Sequence, residues 1–272
     1  MSGLITSLGK SNIVTNEGDF TMLPKMYRPN GTVRGHIYVH GAGELADAPI
    51  SQGPMQDLAK LYPTIGMDLG QTAVTPNGTD GWSNNIVLSR ISSGMTYLQG
   101  TLGAKTGKIF LSGVSMGAGG ALCWAAHNKS LVAAVFVAIP AIGLTDIYTN
   151  NRGSLQFSIT QAYGGTYSPT ATDATYTPSS IQASRDVWYM GVNNPSMFAG
   201  IPIIMWYGTA DTIAIPANIT DFANAVNALP TGNVTIVADP GGTHSTTHWD
   251  LYYTGGTYSN MPAIYNMFAA NA

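Results

Sequence analysis

Residues 108–122 read KIFLSGVSMGAGGAL. The front of this stretch, 108–111, is a short apolar run with β-branched and aromatic members, which predicts a strand. The segment after it, 118–126, is rich in small residues with Leu and Trp, which predicts a packed helix. Ser115 therefore falls on the turn between the two, inside the pattern G-x-S-x-G. Gly113 and Gly117 lack the Cβ atoms that would collide where the backbone doubles back, so Ser115 can be held in a strained conformation with its Oγ presented outward. The turn also points the backbone N–H of Met116, and the positive end of the helix dipole, toward the space beside that oxygen. A glycine-rich turn that only packs a helix on a sheet would have the same local pattern, so the rest of the chain has to decide.

Working outward, 33–39 is a buried-strand candidate that runs into His40-Gly41-Ala42-Gly43, a second glycine-rich strand end. Residues 64–67 predict a brief strand, and 85–102 a long helix, because Val87, Leu88, Ile91, Met95, Leu98 and Leu102 recur at three- and four-residue intervals. The unbroken apolar run 131–139, closed by Pro140, predicts a strand covered on both faces. Further strands are expected at 201–207 and 234–238, helices at 55–61, 217–229 and 262–270, and an opening hairpin of edge strands within 12–28. Alternating strands and helices of this kind predict an α/β fold, a single domain over 1–272 whose mostly parallel central sheet has helices on both faces. The rhythm stops between 141 and 200, where Thr, Ser, Tyr, Gly and Pro prevail and only short helices near 159–163 and 179–187 are expected. This stretch reads as a cap- or lid-like insertion.

A serine hydroxyl is a poor nucleophile at neutral pH and needs a base, which in turn needs an orienting carboxylate. Asp211 follows a predicted strand in YGTADTIAIP (207–216), and His244 follows the next in DPGGTHSTTHW (239–249). Both stand at the carboxyl ends of parallel strands, the edge that also carries Ser115 and where sites form in open α/β sheets. Alternatives stay open: Asp211 can be read as a cap for the turn before Ile213, Asp146 and Asp239 are rival acids, and His248 is a rival base. His244 and His248 at i, i+4 have metal-ligand spacing, but no Glu completes H-E-x-x-H and no third ligand is evident, so no metal is expected.

With these residues in place the chain resembles an α/β-hydrolase from about residue 33 to its end. GVSMGAGGAL resembles the nucleophile elbow of esterases, dienelactone-hydrolase-like proteins and polyester hydrolases; YGTADTIAIP resembles the family's acid loop, and YVHGAG its oxyanion loop. The resemblance implies a cofactor-independent serine esterase that cleaves carboxylic esters through an acyl-enzyme. Ser115 is then the nucleophile, His244 the general base and later acid, and Asp211 its orienter. The oxyanion hole is formed by the backbone N–H of Met116 and one from 41–43, with Ala42 the first choice. The insertion then follows the sixth family strand, the usual place of a cap. Its aromatics Tyr148, Phe157, Tyr163, Tyr167, Tyr176, Trp188 and Tyr189 either line a substrate pocket or form a small core, with Trp188, Tyr189 and the loop residue Trp82 as substrate-binding candidates. His40 is expected to support the oxyanion loop, and His36 and His127 to be ordinary sheet and helix residues.

Only 9% of the residues are charged, and Glu occurs only at Glu17 and Glu44. Such a surface of hydroxyls and amides points to a secreted or virion-associated protein and to a polymeric or surface ester: an acetylated glycan, an envelope lipid or a polyester. The net charge of -3 offers no basic footprint for nucleic acid and no polybasic membrane patch. Cys123 stands alone, which excludes an intramolecular disulfide. The first residues, MSGLITSLGKSN, lack the basic and long apolar regions of a signal peptide, and no stretch approaches a membrane span. A reading of another class is a non-catalytic binding or virion structural module that retains the fold.

Overall fold

The computed structural model describes residues 6–11, 19–24, 26–44, 46, 53–69, 81–174, 180–245 and 261–272. Its strands are β1 (Thr6–Ser11), β2 (Asp19–Leu23), β3 (Arg34–Val39), β4 (Thr64–Met67), β5 (Lys105–Val114), β6 (Val132–Ala138), β7 (Ile203–Gly208) and β8 (Val234–Asp239). They form one sheet in the order β1-β2-β4-β3-β5-β6-β7-β8. The pairs β1/β2 and β2/β4 are antiparallel. From β4 to β8 every neighbouring pair is parallel.

Side-chain alternation along the central strands builds a core on each face. Ile37, Val39, Ile109, Leu111, Val135, Val137, Ile203 and Met205 point to one face. Tyr38, Phe110, Phe136, Ile204 and Trp206 point to the other. The first face is covered by α2 (Asn85–Gly100), α3 (Ser115–His127) and α8 (Pro216–Asn227), the second by α1 (Gly53–Leu61) and α9 (Met261–Ala270). On the second face Phe268 of α9 stacks on Phe110, with centroids 4.5 Å apart and planes 6° from parallel. Helix α3 is buried at every position from Ser115 to Ala126, which explains its all-round small and apolar composition. Helix α2 starts at Asn84, whose side chain accepts from the N–H groups of Ile86 and Val87, both at 3.1 Å.

Among the described residues between β6 and β7 lie four further short α-helices, α4 (Leu144–Thr149), α5 (Gln156–Ala162), α6 (Ile181–Arg185) and α7 (Val187–Asn193). This is more helix than the sequence predicts, and the additions have local causes. Asp186 caps α7 through the N–H of Tyr189 at 3.1 Å, and Pro195 ends it. Strand β2 stops at Leu23, before Pro24, and is shorter than the hairpin expectation. The first part of that expected hairpin, 12–18, lies outside the described residues. Among the described residues no helix is long and apolar enough to cross a membrane.

Candidate active site

Strand β5 passes into α3 at Ser115, which holds φ at 50°, a left-handed value rare outside glycine. The flanking glycines make the turn possible: a Cβ on Gly113 would lie 2.7 Å from the carbonyl oxygen of Gly117. One on Gly117 would run into the carbonyl oxygens of Val39 and His40, so the turn is pressed against the end of β3. The strain at Ser115 is held in place by a bond from the N–H of Ala141 to its carbonyl at 3.1 Å.

The loops after β7 and β8 are laced together. Thr209 N–H donates to Asp239 O at 2.9 Å and Ala210 N–H to Gly242 O at 2.8 Å. A Cβ on Gly208 would collide with the backbone of Gly242, so two glycines permit the approach. This lacing brings Asp211 to His244. Asp211 Oδ2 lies 2.8 Å from His244 Nδ1, and His244 Nε2 lies 2.7 Å from Ser115 Oγ. The carboxylate can only accept, so Nδ1 carries the proton and Nε2 is left to accept from the serine hydroxyl. Asp211 Oδ1 accepts from the N–H groups of Ile213 at 2.8 Å and Ala214 at 2.9 Å. Turn capping and contact with the imidazole are thus both observed, one on each oxygen. The Asp211 side chain is fully buried and that of His244 is 16% exposed. Such a relay can draw the proton from Oγ as the oxygen attacks and return it to a leaving group.

Neither rival acid takes the place of Asp211 on His244 Nδ1. Asp146 forms a two-pronged ion pair with Arg152, at 2.5 and 3.0 Å. Asp239 is buried at the end of β8, where its carbonyl holds the loop. His248 lies outside the described residues. Among those described, no group of three or more His, Cys, Asp or Glu is gathered to hold a metal.

A cleft of about 200 Å³ opens over Ser115 and His244, walled by Ala42, Glu44, Ile139 and Ser245 among others. Ile139 holds φ at 40°, an outlier for a β-branched residue, so two strained positions flank the cleft. The oxyanion loop is fixed by His40 and Glu44. Leu69 N–H donates to His40 Nε2 at 3.2 Å, so Nδ1 carries the proton that bonds Gly41 O at 2.7 Å. Burial holds the His40 imidazole below its ordinary value, against the opposing pull of the Gly41 carbonyl, Glu44 and Asp68. With the Gly41 carbonyl pinned, the trans peptide directs the Ala42 N–H the opposite way. Gly41 N–H is itself taken by Glu44 Oε2 at 2.8 Å, which favours Ala42 as the loop's donor. Met116 N–H belongs to the first turn of α3, where amides lack intrahelical partners.

The aromatic candidates are placed differently. Trp82 is 2% exposed, its indole N–H donates to Ser158 Oγ at 2.8 Å, and its carbonyl accepts from Tyr163 OH at 2.7 Å. Its ring is packed between the insertion and the main body, not offered to the cleft; φ of 56° turns the loop inward there. Trp188 and Tyr189 are half-buried on α7, and neither is among the described residues that wall the cleft. Tyr148 and Tyr163 both pack on Tyr167, with centroids 4.6 and 5.3 Å from it respectively. His36 and His127 are structural, bonded to Thr64 and Ser112 and to the Ser184 carbonyl respectively. Glu44 was not a candidate from sequence, though its rarity and its place directly after HGAG were visible signals.

The sequence matches no known protein family and no curated protein. Its fold is another matter. The serine hydrolase FphF of Staphylococcus aureus, described as fluorophosphonate-binding, superposes with a TM-score of 0.67 at 16% identity, covering 97% of this chain and 98% of that one. The chain has the α/β-hydrolase fold. Est1E of Butyrivibrio proteoclasticus shares this fold with a TM-score of 0.64 at 16% identity, over 96% of this chain and 99% of its own. A ferulic acid esterase gives 0.63 at 13% identity over 98% of each.

Proposed function

We propose that this α/β-hydrolase is a serine esterase that cleaves carboxylic esters through an acyl-enzyme on Ser115. In this reading Ser115 Oγ attacks the ester carbonyl while His244 Nε2 takes its proton. The oxyanion is received by the N–H groups of Ala42 and Met116. His244 then protonates the departing alcohol, and a water activated by the same nitrogen releases the acid. Asp211 keeps the imidazole in the required tautomer and stabilises its charged form. The observation that carries the proposal is the pair of bonds Ser115 Oγ to His244 Nε2 at 2.7 Å and His244 Nδ1 to Asp211 Oδ2 at 2.8 Å.

The small polar cleft supports short acyl groups, and together with the hydroxyl-rich composition it supports an acetylated glycan over an envelope lipid or polyester as the surface ester. The deciding experiment is labelling with a fluorophosphonate probe, with Ser115→Ala as control, alongside p-nitrophenyl esters of rising chain length and acetylated sugars. Native protein should label and hydrolyse short esters, and the variant should do neither, with turnover lower by roughly 10⁴-fold or more. A native protein that neither labels nor hydrolyses would remove the esterase reading and leave a binding module.

A further inference from the structure

Glu44 places a carboxyl group on the loop beside Ser115 and in the wall of the cleft. Its Oε2 accepts from the N–H of Gly41 at 2.8 Å and from the hydroxyl of Tyr38 at 3.0 Å, and the residue forms part of the cleft wall. Its closeness to the reacting centre follows from the packing around Gly41. A methyl group placed on Gly41 would lie 3.3 Å from Glu44 Oε2 and 3.4 Å from Ser115 Cβ, so that oxygen is within about 7 Å of the Ser115 Cβ. No lysine or arginine is among the described residues that wall the cleft.

We propose that Glu44 sets the charge specificity of the cleft, admitting esters whose groups beside the carbonyl are neutral or cationic and turning away anionic ones. This rests on the esterase reading above and deepens it. The Gly41 N–H and the Tyr38 hydroxyl hold the half-buried carboxylate against the oxyanion loop, which gives its charge a fixed direction. A unit negative charge on a substrate at this distance is disfavoured by roughly tenfold, the middle of the range between a water-like and a protein-surface dielectric. A carboxylate or phosphate placed next to the scissile bond meets that repulsion, whereas the hydroxyl groups of a sugar or polyol do not. The same two bonds brace the loop, so Glu44 is also a positioning residue, and the test must separate the two roles.

The test measures kcat/KM for three p-nitrophenyl esters of matched length: butyrate, the hemisuccinate monoanion and 4-trimethylammoniobutyrate. The readout is the anionic-to-neutral ratio, because loss of loop bracing lowers both rates through the same oxyanion hole and cancels. In Glu44→Gln, whose amide oxygen can still accept from Gly41 and Tyr38, the ratio should rise about tenfold and the cationic-to-neutral ratio should fall. In the native enzyme, raising NaCl from 20 to 500 mM should lift the anionic-to-neutral ratio severalfold, a measurement that needs no variant. Ratios unmoved by both the substitution and salt, with the neutral ester still hydrolysed, would overturn the proposal and leave the esterase reading intact. Absence of hydrolysis of all three esters, together with absence of fluorophosphonate labelling, would remove both.

Discussion

Asp211 divides its two oxygens between jobs that can be separated by one substitution. Oδ1 caps the turn through Ile213 and Ala214, while Oδ2 takes the His244 Nδ1 proton. In Asp211→Asn the amide oxygen can keep the turn, but the amide N–H₂ then faces Nδ1 and favours the tautomer with its proton on Nε2. That nitrogen can no longer accept from Ser115. Turnover of a short p-nitrophenyl ester should fall by roughly 10⁴-fold with the unfolding midpoint nearly unchanged; a loss below tenfold would sink the orienting role of Asp211. At this scale the meeting of the three candidate residues was largely legible in the sequence, because Ser115, Asp211 and His244 each stand in a glycine-rich loop at the end of an apolar strand. Glu44 was not, since its meaning depends on the loop curling residue 44 back onto the N–H of Gly41. Trp82 misled for a related reason: nothing in the pattern of its loop signals that the backbone turns the ring inward.

His36 ties three adjacent strands together. On β3, its Nδ1 lies 3.0 Å from Thr64 Oγ1 on β4, and its Nε2 lies 2.6 Å from Ser112 Oγ on β5. Thr64 Oγ1 already donates to the Tyr62 carbonyl, so it accepts from Nδ1–H, and Nε2 accepts from Ser112. Burial lowers the His36 pKa from 6.5 to about 3. The native state therefore resists the proton that the unfolded chain binds, and the stability is fully present above pH 6.5 and lost as pH falls toward 3. Asp19 acts in the opposite sense: burial raises its pKa from 3.8 to about 7, so across that window the native state holds the extra proton and gains stability on acidification. The effect of His36 is isolated by comparing urea unfolding of the native protein and His36→Gln between pH 7.5 and 4. Their stability difference should shrink by about 1.4 kcal/mol per unit below pH 6.5, and parallel curves would refute the assignment. The central strands were legible because each is an apolar run covered on both faces, with alternation deciding which face each side chain serves. Helices α4, α6 and α7 were legible only in part: at five to seven residues they are too short for a periodic pattern and are set by caps and by packing.

Over the whole molecule, the question is whether the segment between β6 and β7 is a separate cap or part of the body. Its buried side chains Leu144, Ile147, Ile159, Tyr167, Ile181, Val187 and Met190 belong to the same continuous core as Val87 of α2 and Phe222 of α8. Polar ties run the same way: Trp82 Nε1 to Ser158, Asn84 Nδ2 to the Ala162 carbonyl at 2.9 Å, and Tyr163 OH to the Trp82 carbonyl. A segment that shares its core with the sheet cannot leave without exposing that core, so it should unfold with the rest. Ile159 is fully buried on α5, and Ile159→Ala should remove about 2 to 5 kcal/mol from global stability. Urea curves followed by far-UV circular dichroism and by ester turnover should shift together to a lower midpoint with an unchanged slope. If helical signal were lost in an earlier step while turnover persisted, the segment would be an independent cap, and the shared core would not be what holds it.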